Sequence, residues 1–194
     1  MRVSPSRLRA FTLVELMIVV AIVGVLAALA IYGVRKYSAR AKTAEARNAL
    51  GQMAKDASAA FDREGMEATV VEMGDAAGSS NRLCPSAAAP VPSDPASIQG
   101  RKYQSGPSEW NDNAGWTCLR FHMKDPQHFQ YNYVATPPTG GSQPGDAFEC
   151  IARGDLNGNG TLSRFSMSGA IQRGSGGSIE LTIAPNLMVT NPEE

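Results

Sequence analysis

Hydrophobic and polar positions divide the chain into three stretches with different patterns. The first is an apolar run near the N-terminus, in which residues 16–34 carry no charged side chain over 19 positions. At about 1.5 Å per residue, a helix of that length measures roughly 28 Å, which is enough to cross the hydrocarbon core of a membrane. The pattern therefore predicts one membrane-spanning helix.

The helical pattern continues beyond this run but becomes one-sided. Apolar residues recur at steps of three and four, and this stripe consists of Ala46, Leu50, Met53, Ala57 and Phe61. No proline falls between Ser6 and Cys84, and Gly65 suits the end of a helix. We expect one helix over residues 11–64, apolar all round in its first half and on one face in its second.

Residues 65–194 show short alternating segments separated by turn residues. Residues 65–115 are dense in proline, glycine and small polar residues, which predicts a long surface loop. Four or five strands are then expected from the segments 115–123, 129–135, 147–156, 161–171 and 178–185. The first two would form a hairpin, and the NGNG run at 157–160 predicts another. The fold class is therefore α+β, with a long N-terminal helix packed on an antiparallel β-sheet head.

Charge indicates the orientation of the span. The chain has 18 basic and 18 acidic residues, so its net charge does not suggest a nucleic-acid-binding protein. Three arginines (Arg2, Arg7 and Arg9) precede the apolar run, and a basic flank favours a cytoplasmic N-terminus.

A second basic cluster follows the span directly and consists of Arg35, Lys36, Arg40 and Lys42. We interpret this cluster as a solvated helix face just outside the membrane, whose bases would also be able to pair with acidic groups of neighbouring chains. A membrane-surface or nucleic-acid contact is the alternative interpretation.

One acidic residue stands inside the apolar block. Glu15 lies four residues after Phe11, and an unpaired carboxylate at that depth is costly in lipid. A retained acid there indicates a partner supplied by another molecule. The alternative is a cleaved secretory signal, because small residues at 27, 28 and 30 would suit such a cleavage site.

The order of these features closely resembles the N-terminus of type IV pilins. A basic leader is followed by Ala10, then by Phe-Thr-Leu-Val-Glu at positions 11–15, and then by an unbroken apolar helix, so that the resemblance covers residues 7–37. It implies that a prepilin peptidase cuts between Ala10 and Phe11 and methylates the new amine, so that residues 1–10 are a leader peptide. It also implies that Glu15 neutralises the N-terminal amine of a neighbouring subunit during assembly.

Two positions depart from the pattern of that family. Ala10 stands where the family usually has glycine, which implies slower processing, although the residue is still small. Tyr32, next to Gly33, stands where a proline is common, so the chain lacks the residue that breaks the helix in family filaments.

The three cysteines lie far apart and do not have metal-ligand spacing. If the head leaves the cytoplasm, one disulfide and one leftover thiol are expected, and the spacing leaves all three pairings open. Scattered parts of residues 83–194 resemble, more loosely, a subset of pilins from deltaproteobacteria. That resemblance implies a Cys84–Cys118 disulfide and leaves Cys150 as the odd thiol.

Asp155, Asn157 and Asn159 fit the opening of an EF-hand calcium loop. The twelfth position of such a loop is Ser166 instead of glutamate, and the flanks read as strands. We therefore prefer a simple turn and expect no cofactor, with calcium as the alternative. The two histidines, at 122 and 128, have no catalytic partner in a recognisable order, and no enzyme is expected.

The function that we expect is that of a structural subunit of a type IV pilus, assembling through its N-terminal helix into surface fibres for adhesion, twitching motility or DNA uptake. Its partners would be copies of itself or other pilins, the prepilin peptidase, the inner-membrane assembly machinery and, before assembly, membrane lipid. No nucleic-acid site is evident, because the head has no dense basic and aromatic patch.

The expected location is the inner membrane, crossed once with the N-terminus cytoplasmic, and afterwards the extracellular fibre. Two alternatives remain open. One is a pseudopilin of a type II secretion system, which we would expect to carry a fuller calcium site near its C-terminus. The other is a singly membrane-anchored surface binding module.

Overall fold

The computed structural model describes residues 11–63, 65–66, 79–174 and 177–192. The main helix, α1, covers Leu13–Phe61, and two short strands, β1 (Gly65–Met66) and β2 (Ser79–Ser80), pair antiparallel. A single 3-10 turn at Pro95–Ile98 is followed by two short helices, α2 (Pro107–Asn111) and α3 (Ala114–Leu119). The strands of the main sheet are β3 (Phe129–Thr136), β4 (Ala147–Gly154), β5 (Ser163–Arg173), β6 (Ile179–Ile183) and β7 (Met188–Thr190).

The main sheet is antiparallel and has five strands. Strands β3, β4, β5 and β6 are neighbours in that order. The beginning of β5 pairs with β7, and its end pairs with β6, so both C-terminal strands share one edge of β5. A long helix followed by an antiparallel sheet confirms the predicted α+β class and the arrangement of the type IV pilin fold.

The structure separates into two compact units, one ending at Arg40 and the other starting at Ala41. In the first unit, the large apolar side chains from Leu13 to Val34 are all exposed. The most apolar 18-residue window of α1 is 0% buried, and by length and composition the helix is able to cross a membrane. The predicted apolar helix is therefore present, and its large apolar side chains stay exposed among the described residues of this unit.

In the second unit, the remaining turns of α1 bury one face. The predicted stripe of Ala46, Leu50, Met53, Ala57 and Phe61 is almost completely buried, with each residue at most 1% exposed. These side chains join one hydrophobic core with the inward-facing residues of the sheet, among them Phe129, Tyr131, Tyr133, Phe148 and Phe165. The three-and-four spacing of the helix and the alternation of the strands thus meet in a single core. The helix ends at Phe61, three residues before the predicted boundary at 64.

Over residues 79–115, the segment predicted as a surface loop is largely irregular, but part of it is buried in the core instead of lying on the surface. Leu83, Cys84, Val91, Ile98 and Trp110 are buried there, each no more than 2% exposed. This segment contains little regular secondary structure, so its backbone groups form hydrogen bonds with the backbone of β3. Val91, for example, exchanges backbone hydrogen bonds with Tyr131 at 2.9 and 2.8 Å.

Side-chain amides complete that attachment. Gln127 is fully buried and donates from Nε2 to the carbonyl oxygens of Val91 and Phe129, both at 2.9 Å. Gln130 donates in the same way to the Pro92 carbonyl at 2.8 Å. Each buried amide thereby satisfies its own donor group and adds a hydrogen bond between the irregular segment and the residues at the start of β3.

The strand predicted at 115–123 is wrong, because residues 114–119 form α3. Asn113 caps this helix by accepting the Gly115 N–H at 3.2 Å, and Arg120 ends it in the left-handed conformation with φ 62°. Gly115 is required by packing, since a Cβ there would lie 2.7 Å from the Ala87 nitrogen. Trp116, Leu119 and Phe121 all reach the core, whereas the predicted strand would have placed Trp116 on the face opposite to Leu119 and Phe121.

The predicted strand at 129–135 is confirmed as β3. The segments 147–156, 161–171 and 178–185 are confirmed as β4, β5 and β6. The hairpin at the NGNG run is confirmed by the pairing of Gly154 with Ser163. The hairpin expected between 115–123 and β3 does not form, because β3 pairs with β4. Strand β7, of only three residues, was not predicted.

Two tyrosines on the inner face of β3, Tyr131 and Tyr133, differ in what their hydroxyls contact. Both rings are fully buried. The Tyr131 hydroxyl donates to Glu45 Oε1 at 3.2 Å, and burial, followed by the charge of Glu45, raises the pKa of Tyr131 well above its usual value. The Tyr133 hydroxyl has no hydrogen-bond partner among the described residues, and burial raises its pKa as well.

This contrast predicts opposite outcomes for the same substitution. Tyr131→Phe should lower the free energy of unfolding of the head by about 1–2 kcal/mol, because it removes a buried hydrogen bond to a carboxylate. Tyr133→Phe should change it by less than about 0.5 kcal/mol or raise it, because it removes an unsatisfied hydroxyl. Denaturant unfolding of the full chain in mild detergent, followed by tryptophan fluorescence, measures both. Equal losses in the two variants would contradict the assignment.

Candidate functional site

The start of α1 is fixed by its own side chains. Thr12 precedes the first helical residue, and its Oγ1 accepts the Glu15 N–H at 3.2 Å. Glu15 Oε2 reaches back and accepts both the Thr12 N–H at 2.9 Å and the Thr12 hydroxyl at 2.8 Å. This reciprocal pattern is a capping box, which satisfies amide groups that a helix start leaves unpaired.

The capping box gives Glu15 a defined position. Its carboxylate is held beside the backbone of residue 12, at the positive end of the helix dipole, where negative charge is favoured. Sequence reasoning singled out Glu15 for its charge and missed Thr12. The signal was present, because Thr-x-x-Glu ahead of an apolar run is the sequence signature of this cap.

Phe11 is the first described residue, and its side chain is 84% exposed. Ala10 and the rest of the predicted leader lie outside the described residues. The predicted cleavage and methylation between Ala10 and Phe11 are therefore not tested by the structure.

In the second unit, a polar cluster holds α1 against the sheet. Glu45 Oε1 accepts the His128 backbone N–H at 2.8 Å and the Tyr131 hydroxyl, while Glu45 Oε2 lies 2.8 Å from His128 Nδ1. A partly buried carboxylate with three donors is well satisfied and fixes the helix in register with the start of β3. This partner of His128 lies 83 positions away in the sequence, which is why spacing did not reveal it.

The predicted disulfide is present between Cys84 and Cys118, which lie 34 positions apart in sequence and have Cα atoms 5.7 Å apart. It ties the irregular segment to α3. Beside it, Arg63 Nη2 donates to the Cys118 carbonyl oxygen at 2.5 Å, so the residues just after α1 also attach to α3. A bridge closing a loop of this length contributes about 3–4 kcal/mol by the chain-entropy estimate.

Cys150 is a free thiol in the middle of the core. It is completely buried on β4, opposite Tyr133, and burial raises its pKa far above the usual value for a thiol. Because the thiolate is the reactive form, this cysteine is chemically inert in the folded head.

In the loop after β4, the carboxylate of Asp155 accepts hydrogen bonds from backbone amides of the same loop. Asp155 is 1% exposed, and its Oδ1 accepts the backbone N–H groups of Gly158 at 2.7 Å and Asn159 at 3.2 Å. Its Oδ2 accepts the Gly160 N–H at 2.8 Å. Asn157 and Asn159 make similar local bonds, each to an N–H two residues on. These contacts describe a self-satisfied turn, and the calcium alternative remains untested.

Two grooves border the residues between α3 and β3. One, of about 560 Å³, lies beside α1 and includes Glu45, Gln52, Asp56 and His122. The other, of about 460 Å³, lies beside Trp110 and also includes His122. Within the described ranges, no group of three or more His, Cys, Asp and Glu side chains is placed to hold a metal ion.

Comparison with known proteins gives two matches. The family model described as "Prokaryotic N-terminal methylation motif" matches residues 6–31. The type IV major pilin protein PilA of Myxococcus xanthus is 58% identical over 52 residues, which are 26% of this chain and 24% of that protein. The chain thus matches about a quarter of the length of this curated relative. No solved structure matches the chain.

The Asp155 turn predicts a large effect for a small substitution. Asp155→Ala removes the buried carboxylate that accepts three backbone amides, of which only the Asn159 N–H has a second acceptor, Asn157 Oδ1, and should lower the free energy of unfolding by about 2–3 kcal/mol. Asp94→Ala is the matched control, because the exposed Asp94 accepts a single amide, from Ala96, and should cost under about 1 kcal/mol.

Thermal unfolding of the full chain in detergent measures both variants, with and without a calcium chelator. The wild-type melting temperature should not change with the chelator, since the carboxylate is satisfied by amides. A clear fall on chelation would favour the calcium alternative.

Proposed function

Because the N-terminal motif, the apolar helix and the fold are those of a type IV pilin, we propose that this chain is a structural subunit of a type IV pilus that assembles through α1 into surface fibres. As in the pilin family, which is a family of structural proteins, assembly occurs with other pilin subunits. The proposal for this chain includes no enzymatic activity. Adhesion, twitching motility and DNA uptake are the uses that such a fibre would serve.

The observation that carries the proposal is the exposed apolar surface of α1. From Phe11 to Val34 its large hydrophobic side chains are between 54% and 84% exposed. A surface of this size is unfavourable in water at about 25 cal/mol per Å². A bilayer covers it before assembly, and a bundle of identical helices covers it in a fibre. Gly24, Ala27, Ala28 and Ala30 allow helices to approach closely there.

The proposed cleavage would create a positively charged amine that is able to pair with the Glu15 carboxylate. Cleavage after Ala10 by a prepilin peptidase would place a new, methylated amine on Phe11, one residue from the capped end of α1. In an apolar bundle, an amine and a carboxylate each cost free energy alone and less when they meet. We propose that Glu15 pairs with the Phe11 amine of a neighbouring subunit, and that this pairing guides docking.

The proposed function implies where the chain is located before and after assembly. Before assembly the chain crosses the inner membrane once, with the N-terminus cytoplasmic, and the assembly machinery of that membrane then extracts it into an extracellular fibre. A Cys84–Cys118 disulfide suits this route, because such bonds persist outside the cytoplasm.

The first prediction concerns processing. Mass spectrometry of the mature protein should find residues 11–194 with one methyl group on the amine of Phe11. Ala10→Gly should leave this product unchanged and speed its appearance, since it restores the usual family residue. A mature chain that begins after Ala30 would show that the apolar run is a discarded secretory signal and would overturn the proposal.

The second prediction separates the charge of Glu15 from its capping bonds. Glu15→Ala removes the charge and the bonds of the carboxylate, and Glu15→Gln removes the charge and keeps a residue suited to the cap. Thr12→Val removes the two bonds of the Thr12 hydroxyl and keeps the charge and the bond from the Thr12 N–H. If pairing with an amine drives assembly, fibre yield should fall strongly in both Glu15 variants and remain near wild type in Thr12→Val.

The measurement is the ratio of sheared fibre to membrane-associated subunit in cells that express each variant. Membrane insertion and head folding should be the same in all three variants. Loss of fibres in Thr12→Val and Glu15→Ala, with normal yield in Glu15→Gln, would instead assign the role of Glu15 to the helix start. Equal fibre yield in all variants would move the function toward a singly anchored surface protein.

A further inference from the structure

Two asparagines in the turn between β4 and β5 are each followed by glycine. Asn157 precedes Gly158, and Asn159 precedes Gly160, so this turn contains both Asn-Gly pairs of the chain. All four residues are exposed. An asparagine before glycine is especially prone to lose its side-chain amide, because glycine has no side chain to shield its backbone nitrogen.

This deamidation is a reaction within the chain that consumes only water. The backbone nitrogen of the glycine attacks Cγ of the preceding asparagine, so the new N–Cγ bond closes a succinimide ring while the Cγ–Nδ2 bond breaks. The proton of the attacking amide leaves with Nδ2 as ammonia, and water then opens the ring to aspartate or isoaspartate. Each event adds one negative charge, and isoaspartate also lengthens the backbone by one carbon.

The backbone of the turn requires glycine at both reactive positions. Gly158 has φ 78° and Gly160 has φ 88°, which is the left-handed region that glycine adopts without strain. A larger residue after either asparagine would shield the nitrogen, but it would also strain the turn. The hairpin therefore carries two reactive pairs that its own geometry prevents it from replacing.

Both attacking nitrogens donate to one carboxylate. The Gly158 N–H donates to Asp155 Oδ1 at 2.7 Å, and the Gly160 N–H donates to Asp155 Oδ2 at 2.8 Å. Asp155 is only 1% exposed, so water competes little for these bonds. Attack requires each nitrogen to turn toward Cγ and to lose its proton. The hydrogen bonds oppose the rotation, and the negative charge opposes formation of an amide anion.

A neighbouring segment restrains the same backbone from outside the turn. Gln99 Nε2 donates to the Gly158 carbonyl oxygen at 3.4 Å, and the Gly100 N–H donates to the Asp155 carbonyl oxygen at 2.8 Å. A Cβ on Gly100 would lie 3.4 Å from the Gly158 Cα, so the two backbones are in close contact. Residues 99–100 thus limit the backbone rotation that attack by the Gly158 nitrogen needs.

We propose that the Asp155 carboxylate protects Asn157 and Asn159 from deamidation, and that these two asparagines become modification sites of the head when this carboxylate is lost. The protection needs only contacts within the head. It therefore acts on a single subunit and on an assembled one alike, and it stands apart from the proposed function.

The experiment incubates the full chain in mild detergent at mildly alkaline pH, with a metal chelator present. Trypsin releases residues 154–164 as one peptide, because Arg153 and Arg164 provide its cleavage sites, and mass spectrometry of that peptide follows deamidation at each asparagine with time. The same chain unfolded in guanidinium gives the unprotected rate. Folded wild type should deamidate about tenfold more slowly or less, a ratio that corresponds to about 1.4 kcal/mol of activation free energy.

Two variants test the carboxylate directly. Asp155→Ala should raise the rate at both asparagines to near that of the unfolded chain. Asp155→Asn keeps the shape and one acceptor oxygen, so it should raise the rate at the asparagine whose glycine loses its acceptor. Tyr131→Phe is the control for lost stability, because it weakens the head from β3 and leaves every contact of the turn in place, and its rate should stay near wild type. Tryptophan fluorescence verifies that each variant is folded.

Three results would overturn the proposal. A folded wild type that deamidates as fast as the unfolded chain would show that the turn gives no protection. An unchanged rate in the folded Asp155 variants would assign the protection to the hairpin backbone alone. Equal acceleration in Tyr131→Phe and the Asp155 variants would attribute deamidation to general opening of the head.

Discussion

The structure depends on one constraint, which is that the apolar surface of α1 must be covered differently along its length. Its second part, from Ala41, buries a single stripe against the sheet and thereby completes the core of the head. Its first part has apolar residues on every side and buries none of them. Free energy from apolar burial thus holds the head together and, in the same helix, requires lipid or other helices around the remainder.

Polar groups set the register of this helix at the points where burial alone cannot. A hydrophobic stripe slides easily along a hydrophobic sheet, since contacts between apolar surfaces have no preferred direction. Glu45 supplies direction, because its three donors come from His128 and Tyr131 at the start of β3. Arg63, bonded to the Cys118 carbonyl, does the same beyond the last turn. The disulfide then anchors α3, the helix that provides that carbonyl.

The structural features that the sequence predicts correctly are those with a regular period. The features that it does not predict depend on contacts between residues far apart in the chain. The apolar span, the Ala46–Phe61 stripe and strands β3 to β6 each repeat over several turns or alternations, so local pattern suffices. Residues 79–128 lack a period, and their order depends on partners far away, such as Gln127 with Val91 and His128 with Glu45. Leu119 and Phe121 match the alternation of a strand, but Leu119 lies in α3 and Phe121 follows that helix, and both are buried. At the N-terminus, Glu15 was evident from its charge, and Thr12 was recognisable only as part of a cap.

The capping box links the fold to the chemistry proposed for assembly. A carboxylate that is free to rotate in lipid would have to be ordered at the moment of docking, and ordering a side chain costs entropy. Thr12 already holds the Glu15 carboxylate at the end of the helix, so that cost is met before a neighbour arrives. The hydrogen bonds that Thr12 donates are weaker than those from a positively charged donor, because a hydroxyl and an amide are neutral donors. A positively charged amine is therefore able to add to or replace them, and the carboxylate remains available for a stronger partner.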